Sequence, residues 1–443
     1  MTTEKKEFLT YPVYKRASVN WIKSLPDHWE VRKAQYLFSR MQRQVQEEDE
    51  VITAFRDGRV TLRRFRREEG YTFAIKEIGY QGVRKGDLVI SAMDAFAGAI
   101  GVSESDGKCS PVYSVCKAAP NVVPHFYGYM LQNMARTGFI TSLSKGIRER
   151  STDFRFAEFK VLELPVPPLA EQRAIVTFLD HETAHLDGLI ERKNRLLDLL
   201  EEQRRAVISQ AVTRGLNPDA PLKDSGVPWL GQVPIEWEVR ELRHLINPQT
   251  SITYGIVQAG PDIVDGIPYI RTSDMSGRFL PRDGYQRTSL EIDSAYLRSK
   301  VKSGDVVVAI RASVGKSLIV PEYLDGANLT QGTAKISPSC DISGKFIVYA
   351  LSATPSKQRF SAIAKGATFK EITLDMLRRF VIPVPSLSEQ DNIVSYLDFE
   401  TAKLDVLREK VEQSIAHLRE YRAALITAAV TGQIDVREEA TQA

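Results

Sequence analysis

The chain has 443 residues, 43% hydrophobic and 26% charged, and its 59 Lys and Arg against 56 Asp and Glu leave a net charge of +3. That is enough material for roughly two to four domains with sizeable cores, and a charge balance too even to announce nucleic acid by itself. Cys109, Cys116 and Cys340 make an odd set without C-x-x-C spacing, the start MTTEKKEFLTYPVYKR lacks an apolar leader core, and no window is apolar for about eighteen residues. These features argue against a disulfide framework, a structural zinc, secretion and a membrane span, and fit a reducing cytoplasm.

Along the chain, the first distinctive stretch is KRASVNWIKSLPDHWEVR from Lys15, which returns as KDSGVPWLGQVPIEWEVR from Lys223. All four tryptophans fall in these copies, Trp21 matching Trp229 and Trp29 matching Trp237. Large rings in a repeated lead-in are expected to be packed anchors. Each lead-in opens onto a region of short β-branched runs, Asp87–Ile90, Asp305–Ile310 and Phe346–Leu351, the first two read as strands behind the Gly-Asp turns of VRKGDLVIS and VKSGDVVVA, with turns and short helices besides, so the class expected is α+β.

Each region ends in a second, stronger repeat. LPVPPLAEQRAIVTFLDHETAHLDGLIERK from Leu164 is matched by IPVPSLSEQDNIVSYLDFETAKLDVLREKV from Ile382 at one ungapped offset. After each proline pair a helix is predicted, from near Ala170 and from near Ser388, with Ser388 as its cap. Leu186, Ile190, Lys193, Leu197, Leu200, Arg204, Val207 and Ala211 alternate at three and four spacings in the first copy, and the second copy offers Leu404, Val411, Ile415, Leu418 and Leu425. Such a seam predicts rods on the order of 50 Å that need a partner helix. Chain order makes the copies each other's antiparallel partner. The expected plan is four segments, 1–163, 164–220, 221–381 and 382–443: two similar α+β domains joined by two long antiparallel helices in a coiled coil with internal pseudo-twofold symmetry.

Some motifs tempt and fail. His181, Glu182 and His185 spell H-E-x-x-H, but the equivalent positions are Phe399, Glu400 and Lys403, so no metal is assigned. SVGKS at Ser313 lacks the first glycine of a phosphate loop, since Ile310 stands there, and NPDA and NPQT lack the remainder of a methyltransferase motif. No catalytic residue is assigned.

The residues now carry a resemblance. PPLAEQRAI and PSLSEQDNI resemble the P-x-L-x-E-Q-x-x-I motif that opens each conserved region of the specificity (S) subunit of type I DNA restriction-modification enzymes, and PDHWEV and PIEWEV resemble that family's P-x-H-W-E-V, with Glu236 in place of the histidine. The resemblance implies two target-recognition domains that each read half of a split double-stranded DNA sequence, a helix pair that sets the gap, two methyltransferase subunits docked on the conserved regions, and restriction or translocase subunits in the full enzyme. It further implies that S-adenosylmethionine, ATP and Mg2+ serve those partners rather than this chain. A specificity subunit of a methylation-only system fits equally, and a coiled-coil adaptor whose ends bind proteins is the alternative outside the DNA class.

For DNA contact, basic and hydroxyl side chains in the divergent regions are the candidates: Arg56, Arg63, Arg64, Arg66, Lys145, Arg148 and Arg150 in the first, and Arg271, Thr272, Ser273, Arg311, Lys365, Thr368 and Lys370 in the second. Any one of them taken alone reads more readily as a solvated face, and the case rests on the set. In the shared segments Glu171, Gln172, Asp180 and Glu182 recur as Glu389, Gln390, Asp398 and Glu400, a set that suits docking of two identical partners, although capping or solubility would also explain it.

Overall fold

The computed structural model describes residues 8–66, 78–143, 153–366 and 370–439. By contacts it forms two compact units, Met1–Lys193 with Gln413–Ala443, and Asn194–Glu412. The cut passes through both long helices instead of following the four sequence segments.

The first unit is built on a four-stranded antiparallel sheet. Leu88–Ser91, the apolar run predicted after the Gly-Asp turn, lies between Ile100–Val102 and Tyr113–Ala118, and Phe38–Met41 pairs with the outer side of Tyr113–Ala118. Helix Pro124–Arg136 packs across this sheet; its Phe126, Tyr127, Met130, Leu131 and Met134 are buried with Leu88, Ile90 and Ile100 in one core. The same core takes Ile175, Phe178, Leu179 and Leu186 of the first long helix and Leu425, Ile426, Ala429 and Val430 of the second. Burial at about 1.5–3 kcal/mol for each large side chain makes this shared core the reason the helix ends belong to the unit.

The second unit repeats that plan. Val306–Ala309 lies between Ser317–Ile319 and Thr333–Ile336, with Thr253–Tyr254 outside the latter, and helix Gly344–Ser352 packs on it. Phe346–Leu351 is therefore helical and not the short apolar run expected of a strand. Phe346, Ile347, Ala350 and Leu351 form one buried helical face, and an apolar run this short reads alike for strand and buried helix. Its own addition is a layer in which Ile267–Ile270 pairs antiparallel with Arg287–Thr288 and parallel with Asn328–Leu329.

In both units the lead-in strand closes on the strand before the long helix: Glu30–Lys33 pairs with Glu163–Val166, and Glu238–Glu241 with Val381–Val384. Trp29 and Trp237 are buried beside these pairs, at 0% and 1% exposure, while Trp21 packs on Phe139 and Trp229 on Phe380. The tryptophans are the anchors the repeat predicted.

The long helices span Leu169–Arg214 and Leu387–Val430, 46 and 44 residues, or about 70 Å each. The first starts directly after Pro168, and the second one residue later, after Pro385 and Ser386. The second is capped by Ser386, whose hydroxyl accepts from the Glu389 amide at 3.3 Å, not by Ser388, because the helix begins at Leu387. The predicted seam is the covered face. Leu186, Ala211, Leu404, Val411, Ile415 and Leu425 are buried, and Ile190, Lys193, Leu197, Leu200, Arg204, Val207 and Leu418 are half-buried. The helices run antiparallel, since Asp187 of the first meets Arg422 of the second at 3.0 Å while, further along, Arg204 meets Asp405 at 3.1 Å. No helix among the described residues is long and apolar enough to cross a membrane.

Candidate nucleic-acid interface

The repeated polar residues at the helix starts are fasteners. Glu171 is buried and accepts hydrogen bonds from Trp29 Nε1 at 2.9 Å and Tyr11 Oη at 3.2 Å, with His28 Nε2 at 2.7 Å. Burial, reinforced by the Glu171 charge, pushes the Tyr11 hydroxyl far above its ordinary pKa, so it stays a donor. Gln172, fully buried, accepts from the Val123 amide at 2.9 Å and donates to the Pro167 carbonyl at 2.9 Å. The second unit repeats the arrangement. Trp237 Nε1 donates to Glu389 at 3.0 Å, and Gln390 accepts from the Ser343 amide at 2.8 Å and donates to the Pro385 carbonyl at 2.9 Å. Tyr129 donates to Asp180, and Tyr349 to Asp398, at 2.7 Å in both cases. The tryptophan contacts tie each repeated lead-in to the long helix that follows, and the Gln–amide and Tyr–Asp contacts tie the region between them to the same helix. Of the docking candidates, Glu182 and Glu400 make no such tie among the described residues; their ion pairs are with His181 and Lys403 on the same helix.

In the first unit the basic candidates are already engaged. Arg56 pairs with Asp94 at 2.8 Å, Arg64 with Glu50 at 2.7 Å and Arg66 with Asp57 at 2.6 Å, and Arg63 donates through Nε to Thr53 Oγ1 at 3.1 Å. Arg64 also covers the Phe65 ring and Arg66 the Phe55 ring. Exposed pairs of this kind contribute only about 0–1 kcal/mol, so exchanging a carboxylate for a phosphate costs little. Lys145, Arg148, Arg150 and Thr368 lie outside the described residues.

The second unit gathers its candidates. Thr272 Oγ1 donates to the Gly332 carbonyl at 3.3 Å, the Ile310 amide donates to the same carbonyl at 2.9 Å, and a Cβ on Gly332 would sit 2.7 Å from Thr272 Oγ1 and 3.9 Å from Arg311 Cβ. Arg311, just past the end of the central strand, pairs through Nε with Glu371 at 3.1 Å. Glu371 in turn exchanges two backbone hydrogen bonds of 2.9 Å with Lys365, and the Lys370 carbonyl accepts from the Ala312 amide at 2.9 Å. Thr272, Arg311, Lys365 and Lys370 thus surround one rim, with Lys365, Lys370 and Ser273 exposed. Arg271 is held at its own turn, where Asp274 takes Nε and Nη2 at 3.1 and 2.8 Å. Two members of the rim were missed from sequence: Glu371, an acid among basic residues, and Gly332, whose missing side chain lets the segments touch. No sequence signal marks either.

The fold and the duplicated fastenings define a class, two α+β units threaded by a pair of long helices, and comparison with known proteins agrees. Residues 234–415 match the family model described as "Type I restriction modification DNA specificity domain". The chain is 30% identical over 276 residues to the type I restriction enzyme EcoBI specificity subunit of Escherichia coli, an alignment covering 61% of this chain and 58% of that one. It is 24% identical to the MjaVIII specificity subunit of Methanocaldococcus jannaschii, over 70% of each chain. Among solved structures, a chain from work on assembly and conformational transition of the type I R-M system superposes with a TM-score of 0.70 at 17% identity, covering 93% of this chain and 99% of that one. The HsdS subunit from Thermoanaerobacter tengcongensis gives 0.51 at 18% identity, covering 94% and 100%. The family matched at residues 234–415, and the subunits to which the chain is similar, are those its repeated motifs resemble.

Proposed function

We propose that this chain is the DNA sequence-specificity subunit of a type I restriction-modification enzyme, with each unit reading one half of a bipartite double-stranded target. The observation that carries the reading is the twice-built fastening, Trp–Glu, Gln–amide and Tyr–Asp, which holds two divergent regions rich in surface arginine and lysine on one repeated scaffold. A scaffold that repeats while what it carries diverges suits one partner type bound twice and two different sequences read. The partners are two methyltransferase subunits together with restriction or translocase subunits, and S-adenosylmethionine, ATP and Mg2+ are used on those chains. The chain itself contributes recognition and no catalysis, in the cytoplasm where host DNA lies.

The test is to coexpress the full chain with the methyltransferase encoded beside it and map methylated bases across the host genome. A single split motif with a fixed spacer is the expected result. An assembled complex that methylates no motif, and a chain whose DNA binding does not weaken as salt rises, would move the reading to a protein-binding adaptor.

A further inference from the structure

We propose that Arg311 reads a guanine in the half-site of the second unit, and that Glu371 is the group that orients it. The inference rests on the DNA-specificity reading and adds one residue and one base to it. A guanine is recognised in the major groove by two parallel donors meeting O6 and N7, which the two Nη atoms of an arginine supply when its plane is fixed. Among the candidate arginines described, Arg56, Arg64 and Arg66 each commit an Nη atom to a carboxylate, and Arg271 commits Nε and Nη2 to Asp274. Arg311 differs. Its closest ionic contact, to Glu371, enters through Nε, and its Nη atoms make no hydrogen bond among the described residues.

The backbone around it is held from two sides. Arg311 bridges Glu371, the Ile372 amide donates to the Ile310 carbonyl at 2.9 Å, and the Ala312 amide is fixed on the Lys370 carbonyl. Ala312 is also the non-glycine residue with a positive φ, 59°, among the described residues. A left-handed alanine persists only where its surroundings over-determine it, and here it turns the chain immediately after Arg311. The side chain is 47% exposed, so it is reachable, and Lys365, Lys370 and Thr272 stand around it where phosphate contacts would hold the duplex in register.

The experiment selects duplexes from a randomised double-stranded DNA pool with the full chain, in complex with its methyltransferase, as wild type, Arg311→Lys and Glu371→Gln. Both substitutions are at exposed positions and keep side-chain size nearly unchanged. Wild type is expected to return a split motif. Arg311→Lys is expected to lose about tenfold or more of its preference for one G·C pair in one half, every other position being retained, and Glu371→Gln to weaken preference at that same pair. An unchanged motif in Arg311→Lys overturns the assignment, as does a uniform loss of affinity across all sequences with a shallower salt slope, the mark of a phosphate contact. If wild type selects no motif while the complex is intact, it is the DNA-specificity reading that falls, and this inference with it.

Discussion

At the scale of single residues, the two copies of the helix-start glutamate show how one repeated residue is used with different strength. Glu171 collects Trp29, Tyr11 and His28, whereas among the described residues Glu389 accepts from the Trp237 side chain only, and Glu236 stands where the first copy has His28. Glu171→Gln should therefore destabilise the protein by about 1–3 kcal/mol in chemical denaturation, and Glu389→Gln by visibly less, since fewer buried donors lose their acceptor. Equal losses would show that the extra donors contribute nothing. The thiols give a second check. Cys109 and Cys116 are buried and burial pushes each up to about 12 from 9.0, while Cys340 is exposed. An aromatic disulfide reagent should modify one thiol of the native protein and three of the denatured one. A raised thiol pKa means that the unfolded chain ionises first, so stability from these two groups is intact below about pH 9 and falls as pH rises towards 12. Replacing both by alanine should flatten that alkaline fall in thermal unfolding midpoint, apart from the cavity cost that shifts the whole curve.

At the scale of elements, what repeats was legible and what diverges was not. The long helices, their seam and their antiparallel sense followed from periodicity and chain order, and the swapped pairs Asp187 with Arg422 and Arg204 with Asp405 are the same contact made from equivalent positions of the two copies. The strands Leu88–Ser91 and Val306–Ala309 were visible behind their Gly-Asp turns. Phe346–Leu351 was not, because helix and buried strand look alike over six apolar residues. The rim was legible only as separate basic residues: its assembly depends on Gly332, Ala312 and Glu371, which sequence spacing does not bring together. Nor did the sequence show that Glu171 and Gln172 are internal fasteners, since polar residues of a repeated scaffold look the same whether they face a partner or a core. The docking expectation consequently moves to Glu182 and Glu400. Reversing both to Arg should weaken copurification of the methyltransferase while changing the unfolding free energy by no more than about 0.5 kcal/mol for each substitution, as surface substitutions do.

At the scale of the whole molecule, the chain passes between its two compact units inside the long helices, at Lys193–Asn194 and Glu412–Gln413. If the helices set the spacer of a split target, inserting one heptad at both points keeps the seam in phase and lengthens each helix by about 10 Å. The mapped methylation motif should then gain up to about three base pairs of spacer with both half-sites unchanged. An active complex with its original spacer would show that something other than these helices fixes the gap.

The pairing of Glu30–Lys33 with Glu163–Val166, and of Glu238–Glu241 with Val381–Val384, has a consequence for how such a protein changes over time. Each divergent region enters and leaves through adjacent strands zipped by four residue pairs. Whatever is rebuilt between the two ends, by point mutation or by wholesale exchange with another gene, returns the chain to the same spot and the same direction. Variation in what is read is thereby insulated from assembly, and a new specificity can arise without the rest of the machine having to be reinvented around it.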